Sequence, residues 1–203
     1  MNSYKTLRRM PPVFSLRDIS RLLDKDHAAV KANVARWKSQ GMVRAAGPRL
    51  GLYYNLVTHP NWEENIARAI KLAYPSAILI GPNVLHRHGW ITQIPQYLSI
   101  AVLNEGSHPS MDGVEVFKRP LRWYRKFSPW GEPIYGLPAL TPENALLDCL
   151  ENADKMWCPN VDDLDEFEVP AELIEKVADH DEQHALQGKR GERSSRPGQA
   201  SSN

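Results

Sequence analysis

Between Phe14 and Leu56 the spacing of apolar positions changes twice. Leu16, Ile19, Leu22 and Leu23 recur at helical spacing and predict a short helix with one apolar stripe. Ser15 precedes it and Asp18 follows three residues on, a near capping box with Asp in place of Glu. Asp24-Lys25-Asp26 is polar and predicts a tight turn, with Asp26 as N-cap of the next helix. There Val30, Val34 and Trp37 fall at i, i+4 and i+7 and share a buried face. His27, Lys31 and Lys38 point elsewhere, and Arg36 lies near the edge of the stripe. Gly41 is placed to end the helix in the left-handed region that glycine tolerates. Met42-Val43 then opens a strand, Gly47 to Gly51 turns, and Leu52 to Leu56 returns. Helix, turn, helix, glycine and hairpin in this order predict a winged helix-turn-helix with a two-stranded wing.

Ahead of it, residues 3 to 10 predict a helix with Leu7 and Met10 facing inward, stopped by Pro11-Pro12. Behind it, Asn61 to Tyr74 predicts an amphipathic helix on Trp62, Ile66, Ala69, Ile70 and Ala73. Strands are expected at Ser76–Ile80, Tyr97–Leu103 and Gly113–Phe117, with Leu121–Phe127 as a partner to the last and a further strand at Pro133–Gly136. A helical stretch is expected between Gly81 and Gly89. Thr141-Pro142-Glu143 opens another helix, with Ala145, Leu146, Leu147 and Leu150 inside. Pro170 to Val177 predicts one more. The fold class is therefore α+β: a winged module at 1–57, a mixed α/β unit at 58–153, an acidic helical extension at 154–186 and a disordered tail at 187–203. The tail is expected to be disordered because it has too little apolar surface to offset its ordering entropy.

The 203-residue chain carries a net charge of only +1. That total hides an asymmetry. Residues 1–56 hold eleven basic residues against three acidic ones, a balance of +8, so the remainder sums to −7. Residues 151–182 hold twelve acidic residues against two lysines, a balance of −10. A basic module of this kind is where duplex phosphates would be held. No apolar run approaches the roughly 20 residues of a membrane span, and the first ten residues lack the apolar centre of a signal peptide, so no membrane role and a cytoplasmic location are expected.

Candidate chemistry outside the module is sparse. Cys149 reads as an inert core residue and Cys158 as exposed and reduced, with neither zinc nor disulfide spacing. His86 and His88 lie two apart, which does not place both imidazoles on one helical face, so a structural role ranks ahead of metal binding. His180 to His184 reads H-D-E-Q-H, but Asp181 stands where a zinc protease has Glu and no third ligand is evident. Trp123, Tyr124, Trp130 and Tyr135, interleaved with Arg122, Arg125 and Lys126, rank as core strand and interface ahead of base stacking. Glu115, Glu132, Glu143 and Asp148 match no metal-site spacing. No catalytic residue, cofactor or metal is assigned.

Residues 69–102 and 140–148 carry a family likeness. Y-P-x-A, the G-x-x-x-L-x-x-H-G turn (Gly81, Leu85, His88, Gly89), T-Q-I-P (Thr92 to Pro95) and L-T-P-E-N-A-L-L-D (Leu140 to Asp148) occur in the order found in the AbiEi family, and the chain resembles it over residues 5–153. The resemblance implies a repressor of its own operon and an antitoxin of a type IV toxin–antitoxin system, countering a nucleotidyltransferase-like toxin without requiring direct contact. His88 and Gln93 match motif positions and read as architectural. The expected partner is double-stranded operator DNA, and self-association on DNA stays open. Asp26, His27 and Lys31 are the candidate base-edge contacts. Arg17, Arg21, Arg36, Lys38, Arg44 and Arg49 are the candidate phosphate contacts, with Arg49 at the wing tip and near the minor groove. The alternatives are a nuclease-like or metal-dependent enzyme aimed at DNA by the winged module, and a protein-interaction module acting through the acidic segment.

Overall fold

The computed structural model describes residues 3–194, with side chains described as far as residue 183. By contacts the chain forms two compact units, one of Met1–Ile80 and Gln96–Leu140, the other of Gly81–Pro95 and Thr141–Asn203. This division does not follow the linear boundaries expected near residues 57, 153 and 186. Both sheets lie in the first unit, and helices supply the second, so the class is α+β.

The first unit opens with α1 (Ser3–Leu7) and a strand not anticipated from the sequence, β1 (Val13–Ser15). Next come α2 (Leu16–Leu23), α3 (His27–Ser39), β2 (Val43–Ala45) and β3 (Leu52–Asn55). The helix ends are as the residues specify. Ser15 Oγ accepts from the Asp18 backbone N–H, and Asp18 accepts from the Ser15 N–H, closing the capping box. Asp26 accepts from the Ala29 N–H at 2.8 Å, and Gly41 takes φ +67 just beyond α3. The hairpin differs from expectation: β1 pairs antiparallel with β3, making a three-stranded sheet in the order β1-β3-β2. Three residues are too few to reveal strand alternation, so Val13 to Ser15 carries no local strand signal.

One core unites these pieces. Leu7, Met10, Phe14, Ile19, Val30, Val34, Trp37 and Val43 are buried together, with Leu16, Leu22, Leu23, Met42, Tyr53 and Val57 packed against them. At its edge sits Asn55, fully buried. Its Nδ2 donates at 2.8 Å to Leu7 O, the last carbonyl of α1, which also accepts from the Met10 N–H, and at 3.2 Å to Met10 O in the turn that follows.

A 3-10 turn at Glu63–Asn65 leads into α4 (Ile66–Ala73), a later start than the Asn61 expected from the apolar spacing. The five-stranded sheet follows: β4 (Ile78–Leu79), β5 (Leu98–Leu103), β6 (Val114–Arg119), β7 (Gly131–Ile134) and β8 (Leu137–Ala139), in the order β6-β5-β4-β8-β7. Leu121–Phe127 is not the strand expected but a helix, α6 (Leu121–Lys126). Trp123 and Phe127, at i and i+4, are both buried with rings 5.2 Å apart, a pairing that helical spacing allows and strand alternation forbids. β7 and β8 form a hairpin through Tyr135 and Gly136, both at positive φ. Pro133 sits in β7, at the sheet edge, where a missing N–H is tolerated.

The second unit contains α5 (Pro82–Arg87), α7 (Pro142–Glu151) and α8 (Ala171–Ser194), with a 3-10 turn at Val161–Asp163. Thr141 caps α7 by accepting from the Asn144 N–H. Leu147 and Leu150 are half-buried, whereas Asp148, not expected inside, is fully buried. The helix at Pro170 continues well past Val177 and into the stretch expected to be disordered. Leu173 and Val177 anchor its first turns, and once a helix is nucleated each added residue makes its own backbone bond. The rest of the expected tail, 195–203, lies outside the described residues. Among the described residues no helix is long and apolar enough to cross a membrane.

Asn55→Leu tests the α1 anchor. It takes the side-chain donor from Met10 O and one of two donors from Leu7 O, and is expected to lower stability by about 1–3 kcal/mol in urea titration. A loss below about 0.5 kcal/mol would show that Asn55 does not hold α1.

Candidate functional site

Burying Val30, Val34 and Trp37 turns the opposite side of α3 outward. Ala28, Lys31, Ala32 and Ala35 follow one another at intervals of three, one and three residues along that side, and all are exposed. Three alanines around one lysine leave a face low enough to enter a groove, with a single long donor rising from it. His27 is exposed at the first turn and Lys38 at the last. Asp26 is exposed as well, although one carboxylate oxygen is engaged as the α3 cap.

The cations among the candidate contacts fall into two groups. Arg17 and Arg21 on α2, with Lys31 and Lys38 on α3, are exposed and have no ion-pair partner among the described residues. Arg36, by contrast, donates from Nη2 to Asn33 Oδ1 at 2.9 Å. Arg44 pairs with Asp112 at 3.5 Å and lies over the Trp62 ring, its guanidinium carbon 4.1 Å from the centroid. Arg49 is exposed in the β2–β3 turn at φ +62, a left-handed conformation unusual for arginine. Two of the module's three carboxylates, those of Asp18 and Asp26, are turned to the helix N-termini.

The residues behind the hairpin were not singled out by sequence. Tyr54 is buried against Trp62, ring centroids 5.2 Å apart. Burial pushes its hydroxyl up to about 12, the nearby Asp112 carboxylate adds to the rise, and Arg44 opposes it. That hydroxyl finds no hydrogen-bond partner among the described residues. Trp62 and Asp112 carried no motif, and only the fold brings them to Arg44.

Most of the remaining candidates serve structure. Glu115 and Glu132 belong to the first unit, Glu143 and Asp148 to the second. Glu115 accepts from Ser99 Oγ, and Asp148 Oδ1 accepts from Asn152 Nδ2 at 2.9 Å. Among the described residues no group of three or more His, Cys, Asp or Glu lies close enough to hold a metal ion. His86 is half-buried and His88 exposed. Asp181 accepts from the Val161 N–H, tying α8 to the 3-10 turn, and the His184 side chain lies outside the described residues. Gln93 donates to Asp163 at 2.7 Å. Cys158 is half-buried rather than exposed, and burial first, with Asp181 and Asp163 adding to it, pushes its thiol up to about 11, away from the reactive thiolate. Trp123 is core, as Trp130 and Tyr135 are not.

No family model matches the sequence, and no curated protein matches it. Among solved structures the chain is similar to the RV2827C protein from Mycobacterium tuberculosis, at 16% identity and a TM-score of 0.56, over 86% of this chain and 69% of that one. At that identity the likeness is one of fold.

Tyr54→Phe removes a buried hydroxyl that has no partner and is expected to leave stability at pH 7 unchanged or slightly higher. The fold favours the neutral phenol, so Tyr54's contribution is whole below its ordinary value of 10 and falls as pH rises toward about 12. The variant should therefore lose less stability than the parent between pH 10 and pH 12. Parallel denaturation curves across that window would contradict the assignment.

Proposed function

We propose that α2, α3 and the β2–β3 hairpin form a winged helix-turn-helix that binds duplex DNA, and that the chain represses its own operon. The exposed face of α3 carries the reading: Lys31 among three alanines, flanked by His27 and Lys38, with Arg17 and Arg21 exposed on α2. A helix read by a major groove needs short side chains at its closest approach and a few long donors for base edges. The charge balance of +8 over residues 1–56 supplies the sequence-independent attraction. The antitoxin role, against a nucleotidyltransferase-like toxin, rests on the AbiEi resemblance of the motifs between Tyr74 and Asp148.

A protein-interaction role for the acidic segment has its own support. A cleft of about 520 Å³ in the second unit is lined by Asp162, Asp163, Asp165 and Glu166 beside Val161, Leu164 and Phe167. Phe167 is 91% exposed, an arrangement suited to a basic surface with an apolar anchor. If that surface belongs to the toxin, Phe167→Ser should abolish toxin capture in a pulldown, and undiminished capture removes this second reading.

The DNA reading is tested on the chain's own promoter in a shift assay. Lys31→Ala should weaken operator binding by about tenfold or more while changing binding to random duplex little, as expected for loss of a base contact. Arg17→Ala should weaken both alike and flatten the salt dependence by about one unit of slope. Equal losses on operator and random DNA for Lys31→Ala would remove its base-reading role.

A further inference from the structure

Arg44 is half of a close arrangement that the charge count alone conceals. Its guanidinium carbon lies 4.1 Å from the centroid of the Trp62 ring, and its Nη2 is 3.5 Å from Asp112 Oδ2, with the two side chains 45% and 47% exposed. Asp112 is held in place by the hairpin itself. Its backbone N–H donates to Ala46 O at 2.9 Å, and a Cβ built on Gly47 would stand 2.9 Å from Met111 Cα. The segment at 110–112 is thus laid against the turn of the hairpin, and glycine at 47 is what lets it approach. The carboxylate is delivered to Arg44 by backbone contacts, not by a chance surface encounter.

We propose that Asp112 is an intramolecular stand-in for phosphate, occupying Arg44 until duplex DNA displaces it. This rests on the DNA-binding reading above. The Trp62 ring packs against the guanidinium, which is planar by its own delocalisation, and holds the arginine stem in place, so exchanging a carboxylate for a phosphate oxygen needs no reorganisation of that stem. The ion pair is exposed and therefore weak enough to yield to a phosphate backbone that several other cations engage at once. While it stands, Arg44 adds nothing to the net attraction for DNA of any sequence. The device lowers non-specific affinity and leaves discrimination to the α3 face.

The test is a double-mutant cycle on the full chain. It is read by fluorescence anisotropy on a random-sequence duplex across a series of salt concentrations, with thermal unfolding as the folding control. Asp112→Asn should tighten binding about twofold to fivefold, the range of an exposed ion pair, and steepen the salt dependence by about one unit. Asp112→Ser should do the same should the amide variant fold poorly. Arg44→Gln alone should leave the salt slope nearly unchanged, and in the Asp112→Asn background it should erase the gain. A gain that survives Arg44→Gln would mean simple repulsion between Asp112 and DNA and would overturn the proposal. So would unchanged or weaker binding by both Asp112 variants, which would make the pair a brace. Failure of the DNA reading itself would show earlier and separately, as no salt-dependent duplex binding by the unmutated chain, and the proposal would fall with it.

Discussion

The rotation of one helix about its axis governs the basic module. Val30, Val34 and Trp37 are buried on one side of α3, and that burial alone decides that Lys31 and the three alanines face outward. A turn of the helix by a single residue, about 100°, would bury Lys31 without a partner and expose an apolar edge. Side chains from α1, β1, α2 and β2 fill the same core, so each constrains the rotation. The face available for recognition is in this sense the complement of the core.

Around that helix the module separates cations that are unengaged from cations that are already engaged. Arg17, Arg21, Lys31 and Lys38 lie on the two helices without ion-pair partners among the described residues, whereas Arg36 and Arg44 make intramolecular contacts. Net charge therefore overstates the positive charge left unpaired on the hairpin. The acidic residues are used economically: Asp18 and Asp26 turn to helix N-termini, where their charge also suits the local dipole.

The second unit follows another logic. Hydrogen bonds from Gln93 to Asp163 and from Val161 N–H to Asp181 fasten its loops and α8 together. Part of the acidic segment is thereby committed to internal bonding. What remains outward is a cleft lined by carboxylates and by a largely exposed phenylalanine.

The helices of the basic module were legible in the residues because their signals are local: a capping Ser or Asp, an apolar stripe of period 3.6 and a glycine at the end act within one or two turns of chain. β1 was not, since a strand of three residues carries no readable alternation and gains its hydrogen bonds from a distant partner. The single strand expected at Pro133–Gly136 is instead the end of β7 and the turn into β8, with Tyr135 and Gly136 at positive φ. Leu121–Phe127 misled because aromatic residues favour strands in general, while here the pairing of Trp123 with Phe127 called for a helix. Of the candidate site, sequence alone determined the exposed face of α3, because three buried apolar positions set the rest of that helix. Only tertiary structure decided the state of Arg44, because Trp62 and Asp112 reach it from 18 and 68 residues along the chain, and no local pattern records a contact made at that separation.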